Sequence, residues 1–384
     1  MRSLARDLVC LLAAVSVSLP GVAQARPDDT EVTALLRATL TVDKPRVGAN
    51  EPATVRFTLQ NLSQQPLSIL EWETPLEGVK NDIFAIEHDG HAVAYRGPLF
   101  TRGLPAPESY VRLAPRESVT AVVDLARFYA IDEPGTYRVR LRGRVSDLGT
   151  EDAAVLAASA QTARRLRPRP LGSNEVSFEQ TGRRTAPPEP PPPSRRTAIA
   201  AAPVFQGSCN AADKAAVETA LDKSRIEASL AAIGLAFLPT AQRPLSQRTT
   251  KWFGSYDLAR YELVVRNYVA IYNGLASRQI TFICEDAGAH CGADIAFVSH
   301  LDPFRIHLCP AFFRLRDDGP DSKPGAILHE MSHFQVIAGT EDHCRYMLAC
   351  ADLAVASPGL AVDSAQNYAY FAENDPYIPL RTDE

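Results

Sequence analysis

Between Cys10 and Cys209 the chain carries no cysteine, and nowhere do two cysteines stand in a CxxC pair. Any disulfide framework is therefore confined to the second half, and a cysteine-rich zinc site is disfavoured. Neither sign of charge is in excess: 40 basic against 45 acidic residues leave a formal net charge of −5. That balance excludes a general electrostatic attraction to nucleic acid or to an anionic membrane. After the first two dozen residues no stretch approaches the roughly 20 apolar residues of a spanning helix, so no membrane span is expected. Internal repeats are also missing.

What is present begins with a leader. Met1-Arg2-Ser3-Leu4-Ala5-Arg6 precedes an apolar run from Leu8 to Val22 and the small-x-small site Ala23-Gln24-Ala25. This reads as a secretory signal peptide over 1–25, which predicts a secreted or periplasmic protein. Cys10 leaves with it. The six cysteines that remain, Cys209, Cys284, Cys291, Cys309, Cys344 and Cys350, are an even set in an exported chain, as a disulfide framework requires.

With 384 residues the chain has enough apolar content for two cores. From about Leu36 to Val145 it reads as strands: Thr54-Val55-Arg56-Phe57-Thr58-Leu59 alternates, as does Tyr137-Arg138-Val139-Arg140-Leu141 after the turn Glu133-Pro134-Gly135. Residues 30–150 are therefore expected to form an all-β immunoglobulin-like sandwich. The Asn61-Leu62-Ser63 sequon is read as incidental. Arginine pairs and a proline tract from Pro187 to Pro193 mark residues 160–203 as an extended linker, either a plain spacer or an exposed place to cut. From 204 to 384 the pattern is mainly helical α+β. Helices are expected over Ala211 to Leu235 and Asp257 to Leu275, and short strands at Gln279 to Ile283 and Arg305 to Leu308.

The chemistry-bearing segment is Ile327-Leu328-His329-Glu330-Met331-Ser332-His333. On a helix, residues four apart share a face, so both imidazoles can reach one metal, and Glu330 lies about 100° round the helix, near the water that a zinc ion would activate. A catalytic zinc keeps three protein ligands. A histidine six residues after His333 would signal a metzincin, but Gly339 stands there. Glu373 is a weaker third ligand than Asp342, which lies just beyond a helix-ending glycine where the chain can fold back. Against this stands the reading of HExxH as a solvated helix face, with Asp342 or Thr340 capping the next helix.

Here the sequence resembles the deuterolysin and peptidyl-Lys metalloendopeptidase family, the aspzincins. Their HExxH and GTxD elements correspond to His329-Glu330-Met331-Ser332-His333 and Gly339-Thr340-Glu341-Asp342. Thr249-Thr250-Lys251-Trp252-Phe253-Gly254, Ile306-His307-Leu308-Cys309 and Tyr370-Phe371-Ala372-Glu373-Asn374 are similar to further family segments. The resemblance implies a zincin-like catalytic domain over 204–384. Its implied cofactor is Zn2+, held by His329, His333 and Asp342, with Glu330 as general base and protein or peptide substrates.

The family tyrosine position holds Arg345 here, with Tyr346 one step later. Tyr346 through a local bulge, or Arg345 by charge, is expected to stabilise the oxyanion, and Tyr346 is preferred. The acidic pair that the family uses to select lysine falls at Gln366 and Ala369, so a broader preference is expected. The resemblance also suggests the pairs Cys209 with Cys284 and Cys291 with Cys309. That leaves Cys344 and Cys350, whose bridge needs a loop or helix end. A long pro-region in the family implies intramolecular inhibition by the N-terminal domain. A non-catalytic binding protein on a zinc-stabilised scaffold is the competing class, against which an intact Glu330 argues.

Overall fold

Alternation in the first half makes strands that each bury one face. In Thr54–Asn61 the side chains of Val55, Phe57 and Leu59 are fully buried, while Arg56 is exposed. This strand pairs antiparallel with Leu36–Val42 and Ser118–Asp124. A second sheet is built on Gly135–Val145, flanked antiparallel by Phe84–His88 and Val176–Gln180. The two layers share a core through Phe57, Ile86, Tyr137 and Val139, as an immunoglobulin-like sandwich does. The Asn61 amide is buried and donates to the carbonyls of Gln65, Leu113 and Ala114, so the sequon serves packing.

The computed structural model describes residues 29–163, 168–185, 202–286, 291–299 and 302–374. The expected signal peptide and the proline tract lie outside the described residues. One expectation needs correction. The segment 160–203, read as linker, contains the strands Arg169–Gly172 and Val176–Gln180, both paired with Gly135–Val145. Leu171 and Phe178 are buried beneath them. These strands are short and their inward positions few, and the neighbouring arginines and prolines masked the alternation.

In the second half, capping explains where the long helices start. The Asn210 side chain accepts from the amides of Ala212 and Asp213 at the head of Ala211–Ala236, and Asp257 accepts from Arg260 at the head of Leu258–Ser277. Among the described residues no helix is long and apolar enough to cross a membrane. All three expected disulfides are present, at Cys209–Cys284, Cys291–Cys309 and Cys344–Cys350. The last joins a loop to the first turn of Met347–Ala356, which meets the geometric need for a helix end.

These helices pack on a five-stranded sheet in the order Val204–Gly207, Thr281–Cys284, Arg305–Leu308, Asp294–Ser299, Pro98–Arg102. Asp294–Ser299 runs antiparallel to Arg305–Leu308, and the last strand runs antiparallel to it in turn. That last strand belongs to the first half of the chain. Hence the two halves are joined by main-chain hydrogen bonds, which the division into separate β and α+β segments did not anticipate.

The corrected sandwich boundary can be tested at Phe178. Phe178→Ala is expected to cost about 3–5 kcal/mol in urea unfolding of the full chain, as for other buried aromatics; a change below about 1 kcal/mol would return the segment to linker.

Candidate active site

The helix Lys323–His333 is buried along its whole length, and both of its ends are anchored. At its start Ser322 accepts from the Gly325 amide at 3.1 Å, and Glu373 accepts from the Ser322 amide at 2.9 Å and hydroxyl at 2.7 Å. A Cβ at position 325 would collide with the Glu373 carboxylate, so glycine is required there. Glu373, the weaker candidate for third ligand, is thus committed to the far end of the helix.

At the other end His329 and His333 face each other, with their Nε2 atoms 3.0 Å apart. Asp342 Oδ1 lies 3.1 Å from His329 Nε2 and 3.6 Å from His333 Nε2. A tight return loop brings it there. Gly339 takes φ +62° with its amide on the Phe334 carbonyl, and the Thr340 amide donates to Ser332. The Glu341 amide donates to Asp363, and the Glu341 carbonyl accepts from Ala365, which pins the backbone just before Asp342.

His333 Nδ1 lies 2.7 Å from the Thr340 carbonyl, which can only accept; Nδ1 therefore carries a proton and Nε2 turns into the cluster, where it is placed to serve as a ligand once deprotonated. Burial raises the pKa of Asp342, yet the imidazoles of His333 and His329 hold it well below the usual carboxylate range. Its Oδ2 has no hydrogen-bond partner among the described residues. Two imidazole nitrogens and a carboxylate converging within 4.8 Å in a buried place, with an oxygen left over, fit a tetrahedral metal ion.

Glu330 is fully buried one helical position from His329. Burial pushes its pKa up to about 8, against the opposing influence of His329. Its Oε1 accepts from the Thr101 hydroxyl at 2.6 Å, and its Oε2 has no hydrogen-bond partner among the described residues. Thr101 belongs to the strand contributed by the first half. The cavity beside His329, lined by Thr101, Tyr346, Gln366 and Tyr370, measures about 50 Å3. Such a space can hold water.

Tyr346 and Arg345 both border this cavity. Tyr346 adopts φ +60°, the bulge needed to turn its ring towards the site, and its hydroxyl donates to the Gly103 carbonyl at 3.2 Å. Arg345 is drawn the other way. It pairs with Glu73 at 3.3 Å and lies over the Trp72 ring. Sequence reasoning missed Thr101, Glu73 and Trp72 because they lie more than 200 residues from the motif in sequence, within strands and turns that carry no chemical signature.

Two histidines one turn apart on a buried helix, a glutamate between them and a loop aspartate closing the set define a metal-dependent hydrolase. Residues 239–373 match the aspzincin family model, described as lysine-specific metallo-endopeptidase, and residues 44–168 match an immunoglobulin-like domain. The chain is 30% identical over 330 residues to an extracellular protease of Aeromonas hydrophila, covering 86% of this chain and 90% of that protein. It is 32% identical over 175 residues to a peptidyl-Lys metalloendopeptidase of Grifola frondosa, covering 45% of this chain and 48% of that one. A solved zinc peptidase from Grifola frondosa aligns with 44% of this chain and 99% of its own at 28% identity, with a TM-score of 0.40. The chain belongs to the aspzincin family of zinc metallo-endopeptidases.

The geometry predicts separate roles for the carboxylates. Asp342→Ala is expected to weaken zinc binding by more than about a hundredfold, whereas Glu330→Gln keeps its metal, read as zinc per chain after dialysis. Full occupancy in Asp342→Ala would remove Asp342 from the ligand set.

Proposed function

We propose that the protein is an exported endopeptidase made in latent form, with zinc held by His329, His333 and Asp342 and with Glu330 as general base. The observation that carries this reading is the Thr101 hydroxyl on Glu330. A strand of the chain itself lies where a substrate strand would lie, and it occupies the residue needed for proton transfer. Zinc, when bound, supplies Lewis acidity to water and to the scissile carbonyl. Glu330 takes a proton from the attacking water and returns it to the departing amine. The Tyr346 phenol, already donating to the Gly103 carbonyl just past the resident strand, is suited to donate to the developing oxyanion. Arg345, engaged by Glu73, is the weaker choice.

A substrate would pair with the free edge of Asp294–Ser299 once Pro98–Arg102 has gone, since an exposed edge strand is a template for an extended peptide. We take the removable part as the sandwich extended through the strand Val176–Gln180, the linker as beginning after it, and the catalytic domain as starting near residue 204. Export through the leader at 1–25 accords with the disulfides and with the extracellular Aeromonas relative. Gln366 and Ala369 carry no carboxylate, which favours broader selection than lysine alone.

Glu330→Gln is expected to lower casein hydrolysis by several orders of magnitude without loss of zinc, because only the base is removed. The active secreted species should begin near residue 200, and the Glu330→Gln chain should accumulate at full length if processing is autocatalytic. N-terminal sequencing and intact mass check both; recovery of a fully active, uncut chain would make the sandwich a permanent binding module.

A further inference from the structure

We infer that Asp294 is a substrate subsite for a basic side chain, placed on the face of the sheet opposite the metal. The inference rests on the proposed reading that a substrate strand replaces Pro98–Arg102. Asp294 opens the edge strand, and its side chain is 2% exposed. Its carboxylate is held by Arg102 Nη1 at 2.7 Å and Lys80 Nζ at 2.6 Å, and both cations come from the first half of the chain. Asp294 itself stays with the catalytic part. The Cys291–Cys309 bridge, the Asp294 amide on the Cys291 carbonyl and the Cys309 amide on the Ile295 carbonyl fix the start of its strand.

Strand register sets the direction. Thr101 pairs with Ala296, and its side chain reaches Glu330 on the helix-facing side. Arg102 pairs with Asp294 across a register shift between Asp294 and Ala296, and Phe100 pairs and stacks with Phe297 at 4.3 Å; alternation along the resident strand therefore points Phe100 and Arg102 to the other face, and the shift lets the Asp294 carboxylate meet Arg102 there. The guanidinium of Arg102 lies 5.8 Å from the Phe100 ring, in keeping with a shared face. Departure of the sandwich takes Lys80, Arg102 and the neighbouring Glu77 together, and leaves a rigidly placed carboxylate without a counter-charge. A substrate strand in the same register presents one side chain to it, one residue on the carboxyl side of the residue that faces Glu330. Arginine or lysine there restores the lost pair. Asp294 itself does not line the cavity shared by Gln366 and Tyr370, which Phe100 and Arg102 border.

The test uses the active secreted enzyme, with its N-terminus and intact mass determined first. Cleavage sites in a mixture of unstructured proteins are mapped by mass spectrometry. kcat/KM is then measured on two peptides differing only by Arg or Gln at the position enriched in basic residues or, if none is enriched, at the first two positions after the bond. Arginine and lysine are expected to be enriched at one position within two residues of the cut bond. The Arg-to-Gln ratio of kcat/KM should be roughly fivefold or more in the wild type, the size of a partly exposed ion pair, and near one in Asp294→Asn. Because Asp294→Asn strands Lys80 and Arg102 in the precursor, the same ratio is measured in Asp294→Asn with Lys80→Met and Arg102→Met. A sandwich-free, active wild type with a ratio near one overturns the inference alone, as does a wild-type ratio that persists in both variants. An active enzyme that keeps its sandwich overturns the latency reading and this inference together.

Discussion

Pairing of Pro98–Arg102 with Asp294–Ser299, the outermost strand supplied by the second half, is the contact through which the two halves of the chain, the sheet and the candidate active site all meet. An unpaired edge beside a hydrolytic centre is chemically useful and physically exposed: it offers a row of amides and carbonyls to any extended chain. Main-chain bonds of this kind are indifferent to sequence, so they can hold a resident strand or a foreign one. Side chains then decide how firmly the resident strand sits. Thr101 reaches Glu330, Arg102 and Lys80 reach Asp294, and Glu73 with Trp72 receives Arg345.

Charge runs through this interface in a way that couples it to the site. Arg102 is nearly fully buried between Asp294 and Glu77, and such a pair is costly to break from one side. Under the proposed latency, cutting a distant linker would not by itself release the strand; it would allow the sandwich to leave as a unit, with its cations. The same contacts distinguish Arg345 from Tyr346, although both border the cavity. The arginine is paired and stacked by residues of the sandwich, whereas the tyrosine hydroxyl donates to the Gly103 carbonyl.

The metal cluster depends on local devices that are readable in one dimension. Helical spacing puts His329 and His333 on one face, Gly339 permits the positive φ of the return loop, and the Thr340 carbonyl orients His333. None of these needs knowledge of distant contacts. The disulfides likewise agree with the cysteine pattern and with the family likeness. Legibility fails where a segment takes its structure from a partner far away. Val176–Gln180 is a strand because Gly135–Val145 is beside it, and its few inward residues sit next to a composition typical of linkers. Pro98–Arg102 carries even less signal, since its pairing partner lies about two hundred residues later.

The sequence alone determined the immunoglobulin-like and α+β layers and pointed to His329, Glu330, His333 and Asp342 as the residues to examine. It could do so because periodicity, capping and short-range spacing are properties of neighbouring residues. Tertiary structure alone decided that the first half supplies a strand to the second, that Thr101 rests on Glu330, and that Asp294 is buried against two borrowed cations. Those facts depend on long-range strand pairing, whose hydrogen bonds are made by the backbone and leave no mark in the order of side chains.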